Sequence, residues 1–150
     1  MIKWLLSWDL VVERLTLKEW IVKYNQKSPE AFKPDARYKF YFHPDKGFCE
    51  IGFSKDMVII NQLCGDGRFW KKSVDRIGKE VGVHYGGTWC VRPEVRAYIR
   101  LFGYRVVEVE HLSDGTKRYH CLDEYGRKGL VSPAFKYESG EQAYFVTWEV

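Results

Sequence analysis

The stretch 58–68, Val-Ile-Ile-Asn-Gln-Leu-Cys-Gly-Asp-Gly-Arg, is where residue types and spacing come closest to a chemical device. An apolar run gives way to two glycines and then to a helical pattern. A helix start offers N–H groups without intrahelical partners and the positive end of the helix dipole. Glycines let the backbone come close to a phosphate. Together they make an anion site. Asp66 stands between the glycines, where a carboxylate opposes an anion unless it points away, and Arg68, Lys71 and Lys72 follow as cations that offset it. Cys64 lies at the helix start, a place where a thiol pKa falls. No metal is expected. His43, His84, His111 and His120 have no zinc-type spacing with Cys49, Cys64, Cys90 or Cys121. His120 and Cys121 are neighbours in a strand pattern and point to opposite faces. Nucleophile-elbow, HExxH and phosphate-loop lysine motifs are lacking.

The elements that must position this stretch can be read from periodicity. Thr16 and Glu19 form a capping box, and Trp20, Ile21 and Tyr24 give the following helix one apolar face. Residues 2–14 fit either a strand or a short helix. Residues 26–37 read as loop or broken helix, with Pro29 and Pro34. Residues 38–43 and 48–53 alternate around the turn Pro44-Asp45-Lys46-Gly47, and 57–60 is a short buried strand. In 68–81, Trp70, Val74, Ile77 and Val81 share a helical face. Lys71, Lys72, Asp75, Arg76 and Lys79 are expected on the other face, with Asp75 and Lys79 paired, and Gly82 as the cap. A strand follows over 83–90, where Gly86-Gly87 implies a bulge or a close approach. Pro93 opens a helix that carries Val95, Tyr98, Ile99 and Phe102 and stops at Gly103. Residues 104–112 and 116–122 form a hairpin about Asp114-Gly115. Residues 123–142 read as turns, and 143–149 as a terminal strand. Strand–helix–strand pieces require a parallel crossover and the hairpins require antiparallel pairs, so the fold class is α+β with a mixed sheet.

Composition bounds the alternatives. The chain has 150 residues, 45% of them hydrophobic and 17% aromatic, which is enough for one cored domain over 1–150 and excludes global disorder. Net charge is +4, with both signs interspersed, so no basic stripe is evident. The scattered cysteines and the lack of an export signal or long apolar run imply a cytoplasmic chain with reduced thiols and no membrane span.

Gln62-Leu-Cys-Gly65-Asp-Gly67 resembles the pyrophosphate-binding signature of GNAT-type N-acetyltransferases, Gln/Arg-x-x-Gly-x-Gly/Ala. The helix ending in Gly103-Tyr104 is similar to the family's second helix and its Gly-aromatic pair. The resemblance implies a mostly antiparallel sheet with a central splayed parallel strand pair and helices on both faces. In it, 57–122 is the cofactor-binding and C-terminal core, and 123–150 is an extension. It implies acetyl-CoA as cofactor and an amine acceptor that attacks the thioester directly. Backbone of Ile60, Asn61, Gln62 and Leu63 would pair with the pantetheine arm. N–H groups of Cys64, Gly65, Asp66, Gly67, Arg68 and Phe69 would hold the pyrophosphate, and Arg92 would reach another phosphate. Acyl transfer to an amine needs a base and an acid. Glu50 is the base candidate, with Glu108 beside it, and Tyr98 is the acid candidate. The family's tyrosine position is here Ile99, one residue later, which turns Tyr98 about 100° round the helix. With Asp66, that departure supports a second reading, an inactive GNAT-like binding module with a protein partner. Small divergent chains of this kind resemble bacteriophage-encoded proteins. A third reading, nucleic-acid binding, requires Arg37, Lys39, Lys71, Lys72 and Arg76 to cluster on one face.

Overall fold

The computed structural model describes residues 14–90 and 95–150. The readings placed on 2–13, and those on Arg92 and Pro93, lie outside the described residues. Helix α1 (Leu17–Lys27) starts at the expected capping box, with Glu19 N–H donating to Thr16 Oγ1 and Thr16 N–H to the Glu19 carboxylate. Strands β1 (Lys39–His43), β2 (Gly47–Ser54) and β3 (Met57–Gly65) form an antiparallel meander. Helix α2 (Gly67–Val81) crosses over to β4 (Tyr85–Cys90), which lies parallel to β3. Helix α3 (Val95–Leu101) leads to β5 (Tyr104–His111), β6 (Lys117–Asp123), β7 (Lys128–Lys136) and β8 (Gln142–Glu149). These strands make one sheet in the order β1-β2-β3-β4-β8-β7-β6-β5, antiparallel except at β3–β4. The fold is therefore the α+β class expected, with a mixed, mostly antiparallel sheet.

Alternation along β2 shows how the two faces are covered. Phe48 packs on Tyr24 of α1, at a ring separation of 5.7 Å. Its neighbours Cys49 and Ile51 join Trp70 and Val74 of α2 in the main core. Two indoles, one from each helix, pin the β1–β2 turn between them. Trp20 Nε1 donates to Pro44 O and Trp70 Nε1 to Lys46 O, both at 2.9 Å.

Three sequence expectations need correction, and a fourth resolves between its two alternatives. β3 does not stop at Ile60 but runs to Gly65, because β2 is long enough to pair with it throughout. Residues 123–142 are not mainly turns. They contain β7, which pairs with both β6 and β8, so the C-terminal part is a four-stranded meander. Pro133 and the polar ends of β7 masked its alternation, and a register shift between Pro133 and Phe135 absorbs the proline. Of the two alternatives for Gly86-Gly87, a bulge or a close approach, the close approach is the one found, since β4 pairs regularly with β8. A Cβ at Gly86 would lie 2.4 Å from the Trp148 ring, and one at Gly87 would lie 2.6 Å from Met57 Sδ. Finally, Lys71 and Asp75 are not on the solvent face. They are buried, at 5% and 8% exposure, and Asp75 pairs with Lys71 rather than Lys79. Trp148 of β8 supplies the reason: its indole N–H donates to Asp75 at 2.7 Å, and its ring lies 5.3 Å from the Lys71 ammonium.

Candidate functional site

The parallel pairing of β3 and β4 is short. Met57 to Ile60 pair with Tyr85 to Thr88, and there the ladder ends. Beyond it β3 stays with β2 as far as Gly65, while β4 stays with β8 as far as Cys90. The two strands thus diverge into a V whose inner edges have no strand partner among the described residues. Thr88 closes the crotch, its buried hydroxyl donating to Ile60 O at 3.0 Å.

A second irregularity lies on the same strand. The β2–β3 register shifts between Phe48, opposite Cys64, and Glu50, opposite Asn61. Gln62 and Leu63 therefore face Cys49 alone. This is a β-bulge, and Gln62 takes φ +48°, a left-handed value for a non-glycine residue. Bulges leave backbone outside the ladder and bend the strand that carries them.

The V and bulge open into a cleft of about 890 Å³ on the α1 face of the sheet. Asn61, Gln62 and Leu63 line it, together with Tyr24 of α1, Glu30 and Asp35 of the following segment, and Trp89, Phe135 and Tyr137. Trp89 and Phe135 have ring centroids 5.8 Å apart, and Phe135 and Tyr137 5.1 Å, so one wall is aromatic. Burial raises the phenol pKa of both Tyr24 and Tyr137 and keeps them protonated. The Arg37 guanidinium and N–H hold Asp35 down at about 2. Of these residues, Tyr24, Glu30, Asp35, Trp89, Phe135 and Tyr137 were not foreseen as site residues. Their common signal is three-dimensional, since they come from separate elements.

On the opposite face, the N-terminus of α2 follows β3 after a single residue. Asp66 is that residue and caps the helix, its carboxylate accepting the Phe69 N–H at 3.0 Å and lying 3.4 Å from Lys46 Nζ. The predicted anion site thus already has a carboxylate at the helix start. Its glycines also have packing reasons. Gly65 and Gly47 are register partners, both at positive φ, and a Cβ on Gly65 would lie 2.1 Å from Lys46 O. A Cβ on Gly67 would lie 2.8 Å from the Phe102 ring. Arg68 reaches Arg100 O at 3.2 Å, and Cys64 Sγ reaches Trp20 O at 3.6 Å.

The remaining site expectations separate in space. Ile60, Asn61, Gln62, Leu63, Cys64 and Gly65 are on β3, along the V and its bulge. Glu50 lies behind the cleft floor at 2% exposure. Its carboxylate accepts from Asn61 Nδ2 at 2.8 Å, Gln62 Nε2 at 2.7 Å and the Asp35 N–H at 2.9 Å. A general base needs access to the proton it takes, and this carboxylate is enclosed by donors. Tyr98 is on α3, with its side chain outside the described residues. Glu108 is exposed on the edge strand β5, four strands away from β4 in the sheet order. Of the cations required for a nucleic-acid face, Lys71 is buried and Arg37 pairs with Asp35 at 2.7 Å. Among the described residues no cluster of His, Cys, Asp and Glu is arranged to hold a metal, and no helix is long and apolar enough to cross a membrane.

No family model matches the sequence, and no curated protein matches it. Among solved structures, the chain is similar to the ribosomal-protein-S18-alanine N-acetyltransferase from Escherichia coli, at 11% identity, 93% coverage of each chain and a TM-score of 0.49.

Proposed function

We propose that this chain is an acetyl-CoA-dependent N-acyltransferase that acts on a primary amine bound in the cleft. The observation that carries this reading is the V at the end of the β3–β4 ladder, with a bulge beside it and a cleft at its mouth. Two substrates entering from opposite faces of the sheet would meet there. Acetyl-CoA supplies an activated acetyl thioester.

The residues fit its two ends unequally. At the acyl end, Ile60, Asn61, Gln62 and Leu63 present a strand edge that β4 does not pair beyond Ile60, suited to an extended pantetheine amide chain. The bulge frees a backbone donor where charge would develop on the carbonyl oxygen. At the phosphate end, N–H groups of Cys64, Gly65, Asp66, Gly67, Arg68 and Phe69 would hold the pyrophosphate, with Arg92 as a further contact. There the Asp66 carboxylate competes with it for the Phe69 N–H, and Lys46 O for the Asp66 N–H. On the cleft side, Glu30 and the aromatic wall suit a protonated amine, which would give up its proton to water in the open cleft before attacking the thioester. Tyr24 and Tyr137 join Tyr98 as phenols able to give a proton to a leaving thiolate. Glu50 we assign to positioning rather than to proton removal.

The Asp66 cap and the enclosed Glu50 favour a second reading, a non-catalytic module that keeps the fold and binds a protein partner. The experiment that separates the two is CoA thiol release from acetyl-CoA in the presence of a panel of primary amines. Release that depends on the amine supports the transferase. A complete lack of release across the panel supports the module.

A further inference from the structure

Gln62 holds a left-handed backbone conformation at φ +48°. Non-glycine residues keep such conformations only where their surroundings over-determine them. Here the surroundings are those of its side chain. Its Nε2 donates to Lys33 O at 2.7 Å and its Oε1 accepts the Lys33 N–H at 3.1 Å, so the amide pairs with one residue's backbone as a strand would. The same Nε2 donates to Glu50 at 2.7 Å, and Glu50 in turn takes the Asp35 N–H at 2.9 Å. The contact therefore binds residues 28–36, which have no helix or strand of their own after α1, to the bulge. Those residues form one wall of the cleft. A carboxylate at 2% exposure facing neutral donors is costly to bury. The sheet does not need it, since the β2–β3 ladder continues on both sides of the bulge.

We infer that Glu50 and Gln62 are positioning residues, a latch that sets the acceptor wall 28–36 in register with the bulge at the mouth of the V. The meaning of the two sides rests on the acyltransferase reading, but the latch itself is testable without it. A change at the bulge on cofactor binding passes through the Gln62 amide to Lys33 and through Glu50 to Asp35. The wall that orients the amine is thereby tied to the backbone that orients the thioester.

The test is amide hydrogen exchange on wild type and on Gln62→Gly, which keeps the left-handed backbone and removes the amide. The Asp35 amide is the diagnostic, because its own acceptor, Glu50, is still present in that variant. We expect the Lys33 and Asp35 amides to exchange about tenfold faster, the equivalent of one hydrogen bond, with Ile51 and Ile60 unchanged. In wild type, acetyl-CoA should slow both amides, and in the variant it should not. An unchanged Asp35 amide overturns the latch, and so does cofactor-induced slowing that survives in Gln62→Gly. If that variant does not fold, Glu50→Gln carries the same test from the other side. It keeps the side-chain shape and should speed Lys33, whose partner Gln62 is intact. If wild type does not bind acetyl-CoA, the acyltransferase reading fails, and the exchange rates of Lys33 and Asp35 still decide the latch.

Discussion

Replacing Lys71 by Met is expected to destabilise the protein far more than an ordinary change on a helix surface. Lys71 and Asp75 lie one turn apart on α2, 3.0 Å from nitrogen to oxygen, both buried against β8. The ammonium also lies over two rings, 5.1 Å from the centre of Tyr104 and 5.3 Å from that of Trp148. Met matches the aliphatic stem, so little volume is lost. What remains is a buried carboxylate with the Trp148 N–H as its hydrogen-bond donor and the Arg127 guanidinium as a more distant charge. Removing one member of a buried pair costs about 3–5 kcal/mol. At about 2–4 °C per kcal/mol for a chain of 150 residues, the melting temperature should fall by about 6–20 °C. Asp75→Asn leaves the ammonium alone and should cost a similar amount. The double variant keeps an oxygen for Trp148 and buries no charge, so it should lie within about 1–2 kcal/mol of wild type. The assay is urea unfolding followed by tryptophan fluorescence, analysed as a double-mutant cycle. A loss under about 1 kcal/mol for Lys71→Met, or effects that simply add, would refute the reasoning that this pair is a buried, mutually dependent unit.

Three other outcomes follow from the same structure. Burial, with Glu50 adding to it, pushes the Cys49 thiol up to about 12, and burial pushes Cys121 up to about 11. A thiol-specific disulfide reagent at pH 8 should therefore modify both only in denaturant, and native-state labelling at either position would contradict their burial. For Asp123, burial raises the pKa, but the N–H groups of Arg127 and Tyr125 and the Arg127 guanidinium more than reverse this, leaving it below its ordinary 3.8. A lowered carboxylate pKa stabilises above the unfolded value and is lost as pH falls from about 4 through the folded value. Asp123→Asn should thus lower the urea midpoint at pH 7 and flatten its decline below pH 4, and an unchanged acid limb would argue against this role. Gly67→Ala should cost about 1–3 kcal/mol by pressing on Phe102. A thermal midpoint equal to wild type would mean that the α2 N-terminus and Phe102, which follows α3, are not in close contact.

Local patterns in the sequence were legible where one periodicity or one cap dominates. Thr16 and Glu19 start α1, Trp70, Val74 and Ile77 mark the core face of α2, and Asp114-Gly115 turns β5 into β6. Features that depend on partners distant in sequence were not. Lys71 and Asp75 look like solvated residues until Trp148, 73 positions beyond Asp75, places an indole N–H against them. Gly65 and Gly67 fit a phosphate loop in one dimension, and in three dimensions they also make room for Lys46 and Phe102. The cleft was only partly visible. The β3 residues were singled out, but β7 was read as turns, so Phe135 was missed, and with it the ring that Trp89 of β4 packs beside. Glu50 was noticed for its charge, and its burial among three donors depends on a bulge that no spacing rule announces.

The central claim is tested most directly by calorimetric titration of acetyl-CoA into wild type and Asp66→Asn. Asn caps helices as well as Asp, so the variant removes a charge at the α2 N-terminus while keeping the helix start. The account predicts saturable one-to-one binding to wild type, and binding about tenfold tighter to the variant, because a phosphate there no longer faces a carboxylate. No heat of binding with either protein would contradict it.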